Sequence, residues 1–127
     1  MKKKELKRVM ACTLAGAMML ACSSSALAAY EQSTGTAGTT AITAEVGYNG
    51  ASGYAKVSGS ANIDASMSGT ANYESASGLG SKNYSGSFSQ QVYGETTCTC
   101  PGSIYLIDCT FQVSSDDGSW SKYSYAG

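Results

Sequence analysis

Polar and apolar residues alternate without exception over residues 51–74. Every odd position from Ala51 to Tyr73 holds Ala, Gly, Val, Ile, Met or Tyr, and every even position from Ser52 to Glu74 is polar or Tyr. A period of two is typical of extended backbone with one face toward a core and the other toward water. The pattern predicts a β-sheet protein.

A second alternating run, residues 42–48, precedes the first and has its apolar residues at even positions. The change of phase falls at Asn49-Gly50, and Asn-Gly favours a two-residue type I′ turn between paired strands. A hairpin with this turn would set Ile42 opposite Val57. The turn chemistry and the reversed phase agree, and both predict a hairpin here.

The odd phase continues past Val57, which a further hairpin allows only if its loop has an odd number of residues. A three-residue loop at 59–61 would set Lys56 opposite Asp64, an opposite-charge pair worth a few tenths of a kcal/mol across strands. Residues 41–73 are therefore predicted to form a three-stranded meander.

Beyond the meander the alternation is interrupted. A Ser- and Gly-rich loop is predicted at 74–83, a fourth strand at 84–93, and a connection at 94–103 that contains the turn signal Pro101-Gly102. The fifth strand is predicted at 104–113. One of its faces would carry Tyr105, Ile107, Cys109, Phe111 and Val113.

A three-residue loop at 116–118, with Gly118 in its last position, predicts a final hairpin. Its register would set Phe111 opposite Tyr123 and Cys109 opposite Tyr125 on a sixth strand, 120–125. Six short antiparallel strands predict an all-β fold, a small antiparallel sandwich or open barrel.

The first 28 residues have the layout of a secretory signal peptide: a basic stretch, an apolar run at 9–21, and a small-residue segment ending in Ala28. The apolar run is shorter than the about 20 residues that a membrane-spanning helix needs. We expect cleavage of this signal helix after Ala28 or Ala29 and a secreted, extracellular product. The alternative is a lipid anchor at Cys22, but the residues before it fit a lipoprotein signal poorly.

The organisation predicted for the chain is a signal peptide at 1–28, a flexible leader at 29–40 and a single β domain at 41–127. The leader is rich in Ser, Thr and Gly and has little apolar content. Beyond residue 28 the chain has three lysines, no arginine and eight carboxylates. This acidic balance disfavours nucleic acid and anionic membranes as partners.

The chain has no histidine, no phosphate-binding loop and no recognisable catalytic constellation. Asp116 and Asp117 could be a catalytic carboxylate pair, but adjacent aspartates before glycine are far more often turn formers. We therefore expect a non-enzymatic extracellular binding or structural module, without cofactor, whose partner is a protein or a glycan. The alternative is a secreted antimicrobial, bacteriocin-like polypeptide, although most of these are cationic.

Aromatic side chains are the candidate contact residues, because a rigid ring with a polar tip gives contact area at low entropic cost. Tyrosines on strands are just as well explained as half-buried sheet residues. The candidates are Tyr54, Tyr84, Trp120 and Tyr123.

Three cysteines follow the leader: Cys98, Cys100 and Cys109. In an exported chain they favour a disulfide. Side chains two apart on extended backbone run parallel, so the expected bridge joins Cys98 or Cys100 to Cys109. The odd cysteine would be a free thiol or the link in a disulfide-linked dimer. A metal site is disfavoured, since the spacing matches no common zinc motif.

Overall fold

Six antiparallel strands and no helix make up residues 28–127, the part of the chain that the computed structural model describes. The all-β prediction is confirmed. No helix in this part is long and apolar enough to span a membrane. The predicted signal helix and Cys22 lie outside the described residues. The strands are β1 (Ala28–Ala37), β2 (Thr40–Asn49), β3 (Ser52–Ser75), β4 (Gly78–Thr99), β5 (Ser103–Ser115) and β6 (Gly118–Ala126).

The 24-residue strand β3 organises the sheet. Its first half pairs with β2, its second half pairs with β5, and β4 pairs with it along both halves. Strand β1 extends the sheet beyond β2, and β6 extends it beyond β5. The Oγ atoms of Ser33 on β1 and Ser124 on β6 are 3.0 Å apart. The sheet is thus nearly closed into a barrel.

The inner face of the sheet is formed by the apolar positions of the alternating runs. The even residues of β2 and most odd residues of β3 are buried, as the sequence pattern predicted, although Ala61 is exposed and Gly59, Gly69 and Tyr73 are half-buried. The core is assembled from modest aliphatic side chains and one phenylalanine. The largest fully buried side chains are Phe111, Ile42, Ile63, Met67, Ile104, Ile107, Val46, Val57 and Cys109.

The predicted three-stranded meander is wrong, because residues 52–75 form one strand without a loop at 59–61. An unbroken strand keeps the odd phase with no hairpin at all. The pairing of β3 with β4 shifts register between Ser58 and Ile63. Lys56 consequently faces Glu45 on β2 and Glu95 on β4 rather than Asp64.

The predicted β2–β3 hairpin exists, but its register is shifted by two residues. Asn49 pairs with Ser52, so that Gly50 and Ala51 form the turn, and Val57 faces Ala44 instead of Ile42. Within the turn only Gly50 has a positive φ, 66°, which fits a type II′ turn with glycine in its first central position. A shift of two residues leaves every side chain on its predicted face.

Residues 29–40, expected to be a flexible leader, form β1 and the turn into β2. All ten residues of β1 pair with β2. Backbone hydrogen bonds do not require apolar side chains, and most of β1 is exposed or half-buried while Ala37 is fully buried. The low apolar content therefore marks a strand at the margin of the sheet. Cleavage after Ala28 would remove one residue of this strand.

The predicted loop at 74–83 and most of the predicted connection at 94–103 belong to β3 and β4. Only residues 76–77 and 100–102 lie between strands there. Alternation fails as a guide in β4 because its side chains are mostly exposed on both faces. Repeated Ser and Gly then resemble a loop although the backbone is extended.

The register predicted for β5 and β6 is also wrong. The turn has two residues, Asp116 and Asp117, so that Phe111 faces Lys122 and Cys109 faces Ser124. A change of one residue moves side chains to the opposite face. The final tyrosines of β6, Tyr123 and Tyr125, are accordingly exposed.

The start of β5 departs from the predicted face as well. Ile104 is fully buried and Tyr105 is 41% exposed, the reverse of the predicted arrangement. The pairing of β3 with β5 shifts register between Asn72 and Tyr73. Because of this shift, the inward-facing and outward-facing positions of β5 are exchanged at the start of the strand.

Strand β4 pairs only with β3 among residues 28–127. Its two halves approach each other through side chains that bond to backbone carbonyls. Thr96 donates its hydroxyl to the Ser85 carbonyl at 3.1 Å, and Lys82 donates its ammonium to the Thr99 carbonyl at 2.8 Å. The outer edge of β4 is thereby partly covered by its own residues.

The turns at one end of the β1–β6 seam are joined by Asp117. Its carboxylate accepts hydrogen bonds from the Thr39 hydroxyl at 2.8 Å, from the Thr39 backbone N–H, and from the Ser115 hydroxyl at 3.0 Å. Hydrogen bonds from Thr39, and then from Ser115, lower the pKa of Asp117 below its ordinary value of 3.8. Bonds of this kind stabilise the ionised carboxylate.

Asp117→Asn is therefore expected to lower Tm modestly at pH 6. A carboxylate with a lowered folded-state pKa stabilises the fold above its unfolded pKa, and this contribution is lost as pH falls through the folded pKa. The difference in Tm between wild type and variant should shrink as pH falls below 3.8. Thermal unfolding followed by circular dichroism from pH 6 to pH 2.5 measures it. Asp116→Asn is the control, and an equal effect from it would contradict the assignment.

Candidate binding site

A row of four inward-facing residues crosses the strands β4, β3, β5 and β6. Phe88 pairs with Ala65, Ala65 with Val113, and Val113 with Trp120. Two aromatic side chains therefore stand at the ends of the row with small or medium side chains between them. Both aromatic residues are half-buried and pack against the core.

Each aromatic ring lies directly over a glycine. A Cβ atom on Gly94 would collide with the Phe88 ring, and a Cβ atom on Gly35 would collide with the Trp120 indole. The glycines allow the rings to lie flat against β4 and β1.

A cleft of about 660 Å³ has all four residues of the row in its lining. Its volume lies in the range of about 300 to 1,000 Å³ that is usual for small-molecule sites. The residues before and after each member of the row on its strand complete the lining, and their side chains point to the opposite face of the sheet from the two rings. Around the central row the cleft is lined by Asp64, Ser66, Ser87, Ser89, Gln112, Ser114, Ser119 and Ser121.

The lining contains one ionisable group, Asp64, and no lysine. The Asp64 carboxylate already accepts hydrogen bonds from the backbone N–H of Gln90 at 2.8 Å and from its side-chain amide at 3.2 Å. Gln90 has a φ of 53°, the left-handed region. The two hydrogen bonds fix the orientation of the Asp64 carboxylate beside Gln90.

No protein-family model matches this chain, and no relative was found among curated proteins. The geometry and chemistry of the cleft are therefore the guide to function. Hydroxyl groups and one carboxamide can both donate and accept hydrogen bonds. The aromatic rings at the ends provide apolar contact surfaces.

Of the four candidate contact aromatics, only Trp120 lines this cleft. Tyr84 is buried, and its hydroxyl donates to the Asp108 carbonyl at 2.5 Å. Tyr123 is 57% exposed on the outer face and donates to the Asp108 carboxylate at 3.0 Å. The structure does not bring the four together on one surface.

Tyr54 belongs to a different surface, on the outer face of β2, β3 and β4. Its hydroxyl donates to Glu45 at 2.5 Å, and the Lys56 ammonium lies 5.6 Å from its ring centroid. Burial, followed by the hydrogen bond to Glu45, raises the pKa of Tyr54. Glu45 and Glu95 flank Lys56 on adjacent strands. This network is internally paired and leaves its lysine between two carboxylates.

Phe88 and Gln112 were not among the predicted contact residues. The available signal was the even-numbered phase of Tyr84, Gly86 and Phe88 in β4. That phase places Phe88 on the inner face, but only the pairing of β4 with β3 reveals its distance from Trp120. The cleft exists because the pairing registers of β4, β3, β5 and β6 place these residues in one row.

The three cysteines of the described region are unbridged and buried. No group of three or more metal-ligating side chains is found within residues 28–127. Burial raises the pKa of the Cys109 thiol to about 11, partly offset by the Tyr84 hydroxyl. A high thiol pKa reduces the fraction of reactive thiolate.

Proposed function

We propose that this protein is a secreted, non-enzymatic binding module that takes a neutral, hydroxyl-rich ligand of carbohydrate type in the cleft between Phe88 and Trp120. The observation that carries the proposal is the row of Phe88, Ala65, Val113 and Trp120 with its polar flanks. Export rests on the signal-peptide layout of the first 28 residues.

The polarity of the cleft supports a neutral ligand. An anionic ligand would meet Asp64 and no compensating cation in the lining. A cationic ligand would meet a carboxylate that already accepts two hydrogen bonds from Gln90. Neutral polar groups, by contrast, would meet serine hydroxyls and the Gln112 carboxamide, which serve as donor or acceptor as required.

The shape of the cleft supports a sugar among neutral ligands. A pyranose ring has an apolar face of C–H groups and an edge of hydroxyls. The indole of Trp120 and the ring of Phe88 offer flat apolar surfaces, and six serines are among the lining residues. The combination of an apolar pocket with a few placed polar groups is typical of small-molecule sites.

Trp120→Ala is expected to weaken binding about tenfold or more, because tryptophan is enriched among the few contact residues that carry most of a binding energy and tenfold corresponds to about 1.4 kcal/mol. A glycan array probed with the purified protein selects the ligand, and titration calorimetry compares the variants. Tyr123→Ala is the matched control, since it removes an exposed aromatic of the same strand outside the cleft.

Two outcomes would contradict the proposal. One is equal binding by wild type and Trp120→Ala when circular dichroism shows both folded. The other is the absence of any neutral glycan ligand on the array together with binding to a cationic or anionic probe. Phe88→Ala tests the other wall of the cleft, because loss of this ring should weaken binding of the same ligand without changing β6.

A further inference from the structure

Strand β4 bends sharply between Phe88 and Gly94. The Phe88 ring lies against Gly94, where an added Cβ atom would collide with it. An extended strand spans about 20 Å over six residues, so a straight β4 could not make this contact. The Thr96 hydroxyl reaches the Ser85 carbonyl in the same way, at 3.1 Å. The direction of the chain therefore changes within residues 89–93.

Gln90 lies at this bend in a β-bulge, a place where one strand has an extra residue and bends. Ile63 on β3 pairs with Gln91 on β4. The next pair joins Ala65 to Phe88, so that β4 has two residues between the pairs and β3 has one. Gln90 has a φ of 53° and is the only residue other than glycine with a positive φ in the described part of the chain. Such a conformation persists only where neighbouring groups hold it.

Asp64 is the β3 residue opposite the bulge. Its Oδ1 atom accepts a hydrogen bond from the Gln90 backbone N–H at 2.8 Å and another from the Gln90 side-chain amide at 3.2 Å. The extra residue of a bulge has no partner in the ladder, so the carboxylate takes the place of a strand carbonyl. Hydrogen bonds to an ionised acceptor are stronger than those between neutral groups. Asp64 thus joins both the backbone and the side chain of Gln90 to β3.

Phe88 lies two positions before Gln90 and forms one wall of the cleft. Since the bend sets the direction of β4, it also sets where the Phe88 ring lies. We propose that Asp64 is a positioning residue of the binding site, which holds the Phe88 ring in place through Gln90 and contributes to affinity only through that ring. The proposal rests on the function proposed above, because it assigns Asp64 a role at the same cleft.

A wall that is held before the ligand arrives raises the affinity. A side chain already in its bound position loses little conformational freedom on binding. A ligand also binds in proportion to the fraction of molecules in the competent conformation. Without the Asp64 carboxylate, the Gln90 N–H turns to water and the left-handed conformation of Gln90 loses its support. The Phe88 ring then spends part of its time away from Gly94.

The first test needs no ligand. Although Gln90 is exposed, its amide should exchange slowly with solvent in the wild type, and about tenfold faster or more in Asp64→Ala, which lacks the acceptor. Asp64→Asn is the matched control, because its side-chain oxygen can still accept the Gln90 N–H. The nuclear Overhauser effect between the Phe88 ring and the Gly94 α protons should weaken in Asp64→Ala and persist in Asp64→Asn.

The second test uses the neutral glycan that binds most strongly on the array, titrated by calorimetry. Asp64→Ala is expected to weaken its binding about three- to tenfold, as a competent fraction of about one third to one tenth would do. Asp64→Asn should bind as the wild type does. Since Asp64 acts through the ring, the double variant Asp64→Ala/Phe88→Ala should bind no more weakly than Phe88→Ala alone.

Additive losses in the double variant would mean that Asp64 contacts the glycan directly, and they would overturn the proposal. Wild-type affinity in Asp64→Ala, or fast exchange of the Gln90 amide in the wild type, would do the same. If Asp64→Ala does not fold, the exchange of the Gln90 amide in the wild type and in Asp64→Asn decides. If no neutral glycan binds, the proposed function fails, and the Overhauser effect between Phe88 and Gly94 alone decides whether Asp64 positions the ring.

Discussion

Phe111→Ala is expected to lower the free energy of unfolding by about 3 to 5 kcal/mol. Phe111 is 0% exposed and is the largest of the fully buried side chains. It faces Met67 on β3 and Lys122 on β6, so its ring lies where three strands meet. Removing it takes away transfer free energy and leaves a cavity that the stiff sheet cannot close.

The size of this effect follows from the composition of the core. Domains of this length are typically stable by about 5 to 15 kcal/mol, and the other fully buried residues are smaller aliphatic, methionine or cysteine side chains. A single truncation can therefore remove a large share of the total. Folding of the variant at 25 °C should be marginal.

Urea unfolding followed by circular dichroism provides the measurement. Thr110→Ala is the matched control, because Thr110 precedes Phe111 on the same strand and is exposed. Its effect should stay within about 0.5 kcal/mol, as is usual at such surface positions. A loss of less than about 1 kcal/mol in Phe111→Ala would show that Phe111 is not at the centre of the core.

Gly69→Ala is expected to cost about 1 to 3 kcal/mol, the range for atoms forced into occupied space. A Cβ atom at Gly69 would collide with the carbonyl oxygen of Asp108. The obstacle is backbone, so that no side-chain rotation relieves it. Nearby, the Thr70 backbone N–H donates to the Asp108 carboxylate at 2.9 Å, a side-chain bond in place of a ladder bond.

The same unfolding measurement applies, with Ser68→Ala as the control because Ser68 is exposed and adjacent in sequence. Gly69→Ala should also disturb the bond between Thr70 and Asp108, which a loss of amide protection at Thr70 would reveal. Stability equal to wild type would mean that β3 and β5 are farther apart here than the structure shows.

The alternation of residues 42–48 and 51–74 was enough to predict the sheet and the faces of β2 and β3. It could not separate one long strand from two strands joined by a three-residue loop, since both keep the odd phase through Gly59. The distinction depends on partners that are distant in sequence. Lys56 finds Glu95 on β4, and no local pattern indicates this.

The length of the turn between β5 and β6 was the second feature that the sequence did not determine. Asp116-Asp117-Gly118 is compatible with a loop of two or three residues, and the choice decides whether Tyr123 is buried or exposed. The apolar positions of β6 are too few to resolve the choice from the sequence alone. Strand β1 was missed for a related reason, because its stability comes from pairing with β2 and not from burial of its own side chains.

One of the two aromatic residues of the candidate site could be predicted from the sequence. Trp120 could be named because it is the single tryptophan of the chain, but nothing local connects it to Phe88, 32 positions earlier. Their relation passes through Ala65 on β3 and Val113 on β5, by three cross-strand pairings. A surface built from several strands can be predicted only when the register of every strand pair within it is known.

The bonds along the outer edge of β4 have a consequence for behaviour at high concentration. Unsatisfied carbonyls on a sheet margin invite strands from other molecules and lead to fibrous aggregates. Here the hydroxyl of Thr96 and the ammonium of Lys82 already occupy the carbonyls of Ser85 and Thr99. These two bonds leave fewer free carbonyls for a strand of another molecule to pair with along β4.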